Sequence, residues 1–160
     1  VFGYQNPVAQ SLYQLKYHAR KEYGIFYGHY AAVYAKKQIQ AWKIEVLIPV
    51  PLHPSRLAKR GYNQAEVLAR EIAQKLGCPL ETKLVVRAKN TVPLKNLNDT
   101  QRKKNLENAF KIRKNGVKLN KILLIDDIYT TGSTLDGVTT ALLAAGVREV
   151  YCLTICAGQG

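Results

Sequence analysis

The chain has 160 residues, of which 47% are hydrophobic and 22% charged, and such values are typical of one globular domain with a buried core. No apolar run approaches the roughly 20 residues of a membrane-spanning helix, and the N-terminus shows no signal peptide pattern. The formal net charge is +13, and residues 83–121 supply most of it, with 12 Lys and Arg against Asp99 and Glu107. A field of this sign attracts polyanions, either a diphosphate group or a nucleic acid backbone, unless it is only a solvated basic surface.

Helical spacing of apolar residues dominates residues 1–42, where seven of the ten tyrosines also occur. These are Tyr4, Tyr13, Tyr17, Tyr23, Tyr27, Tyr30 and Tyr34. Several are three or four residues apart, so they form stripes on helix faces. Interleaved with Lys and Arg, such stripes suit a stacking platform for single-stranded nucleic acid. A packed face with the hydroxyls at its edge is more common, and we predict that arrangement here.

Strands and helices alternate through the rest of the chain. The predicted elements are a short strand at 45–52, a basic loop or irregular turn at 53–64, a helix ending at Gly77, a short strand at 84–87, and a hairpin over 109–119 with its turn at Asn115–Gly116. Residues 88–108 are polar and basic without apolar periodicity, which predicts a mobile loop. A strand–helix–strand unit follows from residue 122. The alternation predicts a mostly parallel sheet covered by helices on both faces.

The three cysteines are too few for a disulfide framework and form no CxxC pair. Cys152 and Cys156 have an even spacing in one apolar segment, so a strand there places both on the same face. We expect them and Cys78 to pack in the core as small apolar side chains. Free thiols fit a reducing, cytosolic environment.

The most informative segment is ILLIDDIYTTGST, residues 122–134. Its first four residues form an apolar run typical of a strand buried on both faces. Asp126 and Asp127 follow this run, and a turn of small hydroxyl residues around Gly132 comes next. A helix then begins, so its positive dipole end and the N–H groups of the turn favour an anion in the same space.

This arrangement suits a phosphorylated sugar. The turn attracts a phosphate, whereas the two carboxylates repel one and instead accept hydrogen bonds from ribose hydroxyls. The alternative is a buried strand with an Asp-initiated turn and a Ser/Thr helix cap. Because desolvating two adjacent carboxylates is costly, the binding site is the favoured interpretation.

The segment resembles the 5-phosphoribosyl-1-pyrophosphate (PRPP) motif of type I phosphoribosyltransferases, which has four apolar residues, two acidic residues and a Thr/Gly/Ser-rich turn. In that family the acidic pair holds the ribose hydroxyls, and the turn holds the 5-phosphate. The resemblance implies that Asp126 and Asp127 are the catalytic residues, and that Mg²⁺ binds with PRPP and takes no ligand directly from the protein. The implied PRPP-binding residues are Asp126, Asp127, Tyr129, Thr130, Thr131, Gly132, Ser133 and Thr134.

Two further segments resemble the ComF family of bacterial proteins and its GntX relatives. Residues 48–64, IPVPLHPSRLAKRGYNQ, match one signature of that family. A second signature, Arg…Thr…Arg-x-x-Asn…Ala-Phe, is matched at Arg87, Thr91, Arg102, Asn105, Ala109 and Phe110. The resemblance implies a pyrophosphate loop at Leu52, His53, Arg56 and Arg60 and a mobile, DNA-contacting loop at Arg102, Lys103, Lys104 and Asn105.

Within these segments, His53 lies between prolines and is expected to orient the turn. Gly61 is expected to adopt a positive φ. Two departures from the family pattern stand out. Leu94 occupies a position where members usually carry Gln. The four-cysteine zinc module with which many members begin is absent from this chain.

The resemblance implies an α/β protein of type I phosphoribosyltransferase fold, with a central, mostly parallel sheet flanked by helices. We expect a single domain over 1–160, with a helical hood at 1–42 and a core at 43–160. The implied function is that of a cytoplasmic, ComF-like competence protein that binds PRPP and handles single-stranded DNA during natural transformation, with competence proteins as possible partners. The alternative is an active phosphoribosyltransferase acting on a small amine or nucleobase, unrelated to DNA uptake. The sequence leaves the choice between them, the acceptor and the oligomeric state open.

Overall fold

A parallel sheet forms the centre of the computed structural model, which describes residues 2–3, 6–88, 109–113 and 119–158. The strands in these ranges are β1 (Phe2–Gly3), β2 (Val46–Pro49), β3 (Val85–Arg87), β4 (Phe110–Ile112), β5 (Lys121–Tyr129) and β6 (Glu149–Ala157). Four of them form the sheet in the spatial order β1-β6-β5-β2, and every pairing in it is parallel. The mostly parallel sheet predicted from the sequence is therefore confirmed.

A separate antiparallel pair is formed by β3 and β4, with Val85 opposite Ile112 and Arg87 opposite Phe110. The predicted hairpin turn at Asn115–Gly116 lies outside the described residues. Within them, the partner of β4 is β3, which precedes it in the chain by more than 20 residues.

The described helices are α1 (Asn6–Tyr17), α2 (Lys21–Trp42), α3 (Pro54–Arg60), α4 (Gln64–Leu76) and α5 (Ser133–Ala144). Within residues 1–42 the predicted helical structure is confirmed for α1 and α2, whereas Phe2–Gly3 forms β1 and pairs with β6 in the sheet. The helix predicted to end at Gly77 is α4, and Gly77 caps it with a φ of 66°. Within the described part of the chain, no helix is both long and apolar enough to cross a membrane.

The N-terminal helices pack on the sheet through α4. A β-carbon on Gly28 of α2 would lie 2.7 Å from Cβ of Glu71 and 3.0 Å from the carbonyl oxygen of Leu68, both on α4. The two helices therefore approach more closely than any larger residue permits. Leu12 and Leu15 of α1 are buried in the same cluster, so α1 and α2 form one layer over α4.

Alternate residues of β5 face two different apolar clusters, which is why its sequence is apolar without interruption. Leu123 and Ile125 belong to the cluster beneath α1, α2 and α4. Ile122 and Leu124 belong to a second cluster that also contains Val138 of α5 and residues of the β3–β4 pair. The strand buried on both faces, predicted from residues 122–125, is confirmed.

Residues 54–60 form helix α3, so the prediction of a basic loop or irregular turn is wrong there. The local signals for a short helix are all present. His53 caps it by accepting a hydrogen bond from the N–H of Ser55 at 3.2 Å, and Pro54 is at its first position. Gly61 ends it with a φ of 77°, which confirms the expected positive φ.

The packed tyrosine face is only partly observed. Tyr27 is 5% exposed, but Tyr13, Tyr17, Tyr30 and Tyr34 are between 45% and 69% exposed. For these four the prediction of a packed face is wrong. The reason on α1 is that Leu12 and Leu15 supply the buried face, which turns Tyr13 and Tyr17 outward.

Of the three cysteines, only Cys156 is fully buried in the core as expected. Cys156 is fully buried, whereas Cys152 is exposed and Cys78 is partly buried. Burial along β6 is confined to its carboxyl-terminal half, where Ile155 lies beside Cys156. Cys152 and Cys156 therefore differ in burial although their spacing is even, and the prediction for Cys152 is wrong.

Candidate functional site

The acidic pair lies at the carboxyl edge of the sheet, where the parallel pairing brings two loops together. Pro49 at the end of β2 stands opposite Ile125 of β5, and the N–H of Val50 donates to the carbonyl of Ile125 at 2.9 Å. The loop after β2 and the segment after Ile125 therefore open at the same edge. This is the edge at which open α/β sheets bind their ligands.

The two carboxylates occupy different environments. Asp126 is half-buried, and its Oδ1 accepts a hydrogen bond from the N–H of Asp127 at 2.9 Å. Desolvation raises the pKa of Asp126 well above its ordinary range, and the neighbouring charge of Asp127 raises it further. Asp127 is only 5% exposed. The site thus holds one carboxyl that resists ionisation beside a second that is deeply buried.

The buried carboxylate is paired with a cation from the N-terminal helices. Nζ of Lys16 on α1 lies 2.9 Å from Oδ2 of Asp127, and the two side chains are 20% and 6% exposed. The contact is an ion pair without the alignment of a hydrogen bond, so Oδ2 keeps unused acceptor capacity. Sequence spacing places Lys16 only among the cations of a helical stripe, and nothing local to it signals a contact with residue 127.

The turn after the acidic pair has the shape of an anion cradle. Gly132 has a φ of 77°, and a β-carbon there would lie 2.9 Å from Oη of Tyr129. α5 begins at Ser133 without a side-chain cap, so the first N–H groups of the helix have no partner from the preceding residue's side chain. Oγ of Ser133 and Oγ1 of Thr131 lie 2.9 Å apart. The geometry offers N–H groups and hydroxyls at a positive helix end, which suits a phosphate.

The predicted PRPP-binding residues are thus contiguous in β5, the turn and the first turn of α5. Tyr129 and Thr130 are exposed, whereas Gly132 is buried against the ring of Tyr129. Thr134 lies in the first turn of α5 and is partly buried. Their ligand roles remain predictions.

The predicted pyrophosphate loop is divided by the structure. Leu52 and His53 are partly buried at the start of α3, and Nδ1 of His53 lies 2.8 Å from Oγ of Ser55, so His53 orients this turn as expected. Arg56 lies close enough to Arg87 to lower the pKa of that residue. Arg60, one helical turn further on, instead places its guanidinium 5.2 Å from the ring centre of Tyr17. Arg56 is therefore connected electrostatically to Asp126 through Arg87, whereas Arg60 contacts α1.

Arg87 is the functional candidate that sequence reasoning did not place in the site. It is 7% exposed at the end of β3, with its guanidinium 5.4 Å from the ring centre of Phe110. Burial and the charge of Arg56 lower its pKa to about 10, whereas the charge of Asp126 opposes that shift. Arg87 therefore interacts electrostatically with Arg56 and Asp126, which belong to the other two sequence signatures. The signal that pointed to Arg87 was its place in the second signature.

Two arginines beside one carboxyl form a cluster that favours an added anion. A pyrophosphate carries several negative charges, and arginine binds such groups in a bidentate manner. The remaining predicted residues, Arg102, Lys103, Lys104 and Asn105, lie outside the described residues.

The comparison with known families agrees with this geometry. Residues 62–160 match the family described as phosphoribosyl transferase domain, and the chain belongs to that family. The solved purine phosphoribosyltransferase of Pyrococcus horikoshii has the same fold, with a TM-score of 0.50 at 16% identity over 81% of this chain and 71% of that one. The expected type I phosphoribosyltransferase fold is therefore confirmed.

Curated relatives confirm the ComF-like resemblance. Competence protein F of Haemophilus influenzae is 38% identical over 124 residues, which are 76% of this chain and 54% of that protein. The DNA utilization protein YhgH of Salmonella typhimurium is 29% identical over 158 residues, which are 96% of this chain and 69% of that protein. The chain thus spans about half the length of the first relative and about two thirds of the second.

Proposed function

We propose that this chain binds PRPP at the carboxyl edge of its sheet. The observation that carries the proposal is the acidic pair directly followed by an uncapped helix N-terminus. Asp126 and Asp127 accept hydrogen bonds from the ribose hydroxyls, and the turn at 130–134 holds the 5-phosphate. Anion and hydroxyl sites lie on adjacent segments, as a ribose 5-phosphate requires.

Arg56 and Arg87 bind the pyrophosphate group in this proposal. Burial and, after it, repulsion by Arg56 lower the pKa of Arg87, and an anion between the two arginines offsets both effects. In this proposal Mg²⁺ takes its oxygen ligands from PRPP and water and none directly from the protein, which leaves the acidic pair free for the ribose hydroxyls, so the residues present fit a PRPP–Mg²⁺ complex. When bound, Mg²⁺ supplies positive charge to the pyrophosphate.

We further propose that the protein handles single-stranded DNA in the bacterial cytoplasm during natural transformation, together with other competence proteins. Support comes from the names of the relatives, competence protein F and DNA utilization protein, and from the net charge of +13. The three cysteines are free, which suits a reducing compartment.

A phosphoribosyltransferase reaction is the second candidate, and the completeness of the acidic pair and turn favours it. A nitrogen lone pair of a small amine or nucleobase would attack C1 of the ribose while the bond from C1 to the pyrophosphate oxygen breaks. Pyrophosphate leaves with that electron pair, and Arg56 and Arg87 stabilise the charge that it gains.

Calorimetric titration with PRPP and Mg²⁺ tests the binding proposal, and a pyrophosphate release assay with candidate acceptors tests the reaction. Binding of PRPP at micromolar concentrations is expected. Absence of binding by a folded protein contradicts the proposed site. Binding of PRPP with no pyrophosphate release for any amine or nucleobase supports a binding function over a transferase.

A further inference from the structure

The exposed side of α1 carries a row of rings that the core does not use. Tyr13 and Tyr17 are 54% and 58% exposed, yet their ring centres are only 4.8 Å apart. The ring of His18 lies 5.5 Å from that of Tyr13. Large aromatic side chains are normally buried, so an exposed group of adjacent, mutually tilted rings favours a surface for a ligand with a flat face.

A cation at the end of α3 extends this row. The guanidinium of Arg60 lies 5.2 Å from the ring centre of Tyr17, so the rings and the positive charge form one surface. We call Tyr13, Tyr17, His18 and Arg60 the tyrosine ladder. It adjoins the acidic pair, because Lys16, between the two tyrosines in sequence, contacts Asp127 at 2.9 Å.

We propose that the tyrosine ladder is the surface on which single-stranded DNA stacks its bases. The inference rests on the DNA-binding part of the proposed function and adds the location of that binding. Unpaired bases expose flat faces that stack on tyrosine, and neighbouring cations attract the phosphates between them. Duplex DNA keeps its bases in the stack and offers the rings no such face.

The charge of the chain argues against a second copy as the occupant. Lys16, Arg20, Lys21 and Arg60 lie on or beside the ladder, so two copies docked through α1 would bring basic surfaces together. A polyanion with aromatic groups can pair its negative charges with the cations and stack its rings on the tyrosines. Single-stranded DNA has this combination at every nucleotide.

The test measures binding of a fluorescein-labelled oligothymidylate to the full chain by anisotropy. Tyr17→Ala is expected to raise the dissociation constant about 5- to 150-fold, the range found for removal of one stacking aromatic side chain. Tyr17→Phe keeps the ring and should bind as the original chain does. Tyr34→Ala is the matched control, because Tyr34 is 69% exposed on α2 and lies outside the ladder.

The salt dependence separates stacking from charge. Because Tyr17→Ala removes no cation, the slope of log affinity against log salt should stay unchanged while affinity falls. All three variants change exposed side chains. Far-ultraviolet circular dichroism and PRPP titration verify that the fold and the phosphate site are intact.

Three outcomes overturn the inference. Equal affinity of Tyr17→Ala and the original chain removes the ladder from the interface, while the DNA-binding proposal survives. Equal losses in Tyr17→Ala and Tyr34→Ala show a diffuse surface in place of a ladder. No binding of oligothymidylate by the original chain rejects the inference together with the DNA-binding part of the proposed function.

Discussion

Replacing the two carboxylates by amides separates their roles in binding from their roles in stability. We expect Asp126→Asn with Asp127→Asn to lose PRPP binding and to keep the fold. Where both carboxyls are ionised, above the raised pKa of Asp126, each ribose hydroxyl donates a charge-assisted hydrogen bond worth roughly 1.5–3 kcal/mol, so the pair contributes roughly 3–6 kcal/mol. That loss moves a micromolar dissociation constant by at least about 100-fold, which places it beyond ordinary titration.

The single variants are expected to change stability in opposite directions. Asp126→Asn removes a charge that is desolvated and repelled by Asp127, while the amide oxygen still accepts the N–H of Asp127. This variant should therefore unfold at a higher temperature than the original chain. Asp127→Asn leaves Lys16 without its partner and should lower the free energy of unfolding. The loss is smaller than the roughly 3–5 kcal/mol of a fully buried pair, because Lys16 is 20% exposed.

The effect of Asp126 on the free energy of unfolding depends on pH, and its sign follows from the direction of the pKa shift. Its pKa is raised by folding, so the folded chain keeps a proton that the unfolded chain releases above pH about 4. The stability that this carboxyl contributes is fully present below that pH and is lost as pH rises toward its folded pKa. The stabilisation of Asp126→Asn relative to the original chain should therefore grow with pH across that window.

Calorimetric titration with PRPP and Mg²⁺, and urea unfolding at pH 5, 7 and 9, measure these expectations. Unchanged PRPP affinity in the folded double variant would refute the ribose assignment. A constant stability difference between Asp126→Asn and the original chain at all three pH values would refute the reasoning about its desolvated charge.

The other predictions concern the turn, the ion pair and ligand competition. Gly132→Ala should lose about 1 kcal/mol of stability because of its positive φ, and it should weaken PRPP binding because the new β-carbon displaces Tyr129. The control is Gly77→Ala, which also has a positive φ but open space around it and should lose stability alone. Equal PRPP affinity in the two variants would contradict the anion cradle. Lys16→Gln should lower the urea midpoint of unfolding. Combined with Asp127→Asn, it should reduce the free energy of unfolding by less than the sum of the two single losses, and strict additivity would show that the ion pair contributes nothing. Saturating PRPP with Mg²⁺ should raise the dissociation constant of a short oligonucleotide in anisotropy at matched ionic strength, because Lys16 connects the tyrosine ladder to the acidic pair. DNA should weaken PRPP by the same factor, and independent binding would mean that DNA lies on the ladder without reaching the PRPP site.

The sequence by itself determined the parts of the site that are local in the chain. An unbroken apolar run predicted a strand buried on both faces, and Ile122 and Leu124 do face one cluster while Leu123 and Ile125 face the other. The turn glycine and the following helix were equally predictable, because a positive φ and a helix start depend on neighbouring residues. Helix α3 had the same kind of local signal in its cap, its proline and Gly61, and a closer consideration of capping would have predicted it.

Only the tertiary structure decided which distant residues meet. Lys16 is 111 positions from Asp127 in the sequence, and no periodicity connects them, yet packing of α1 over the sheet edge brings their side chains to 2.9 Å. The burial of Arg87 likewise depends on β4, which pairs with β3 from beyond a long intervening segment. The exposure of Tyr13 and Tyr17 was decided the same way, because helical spacing gives every helix two faces and only the neighbouring elements determine which one is buried.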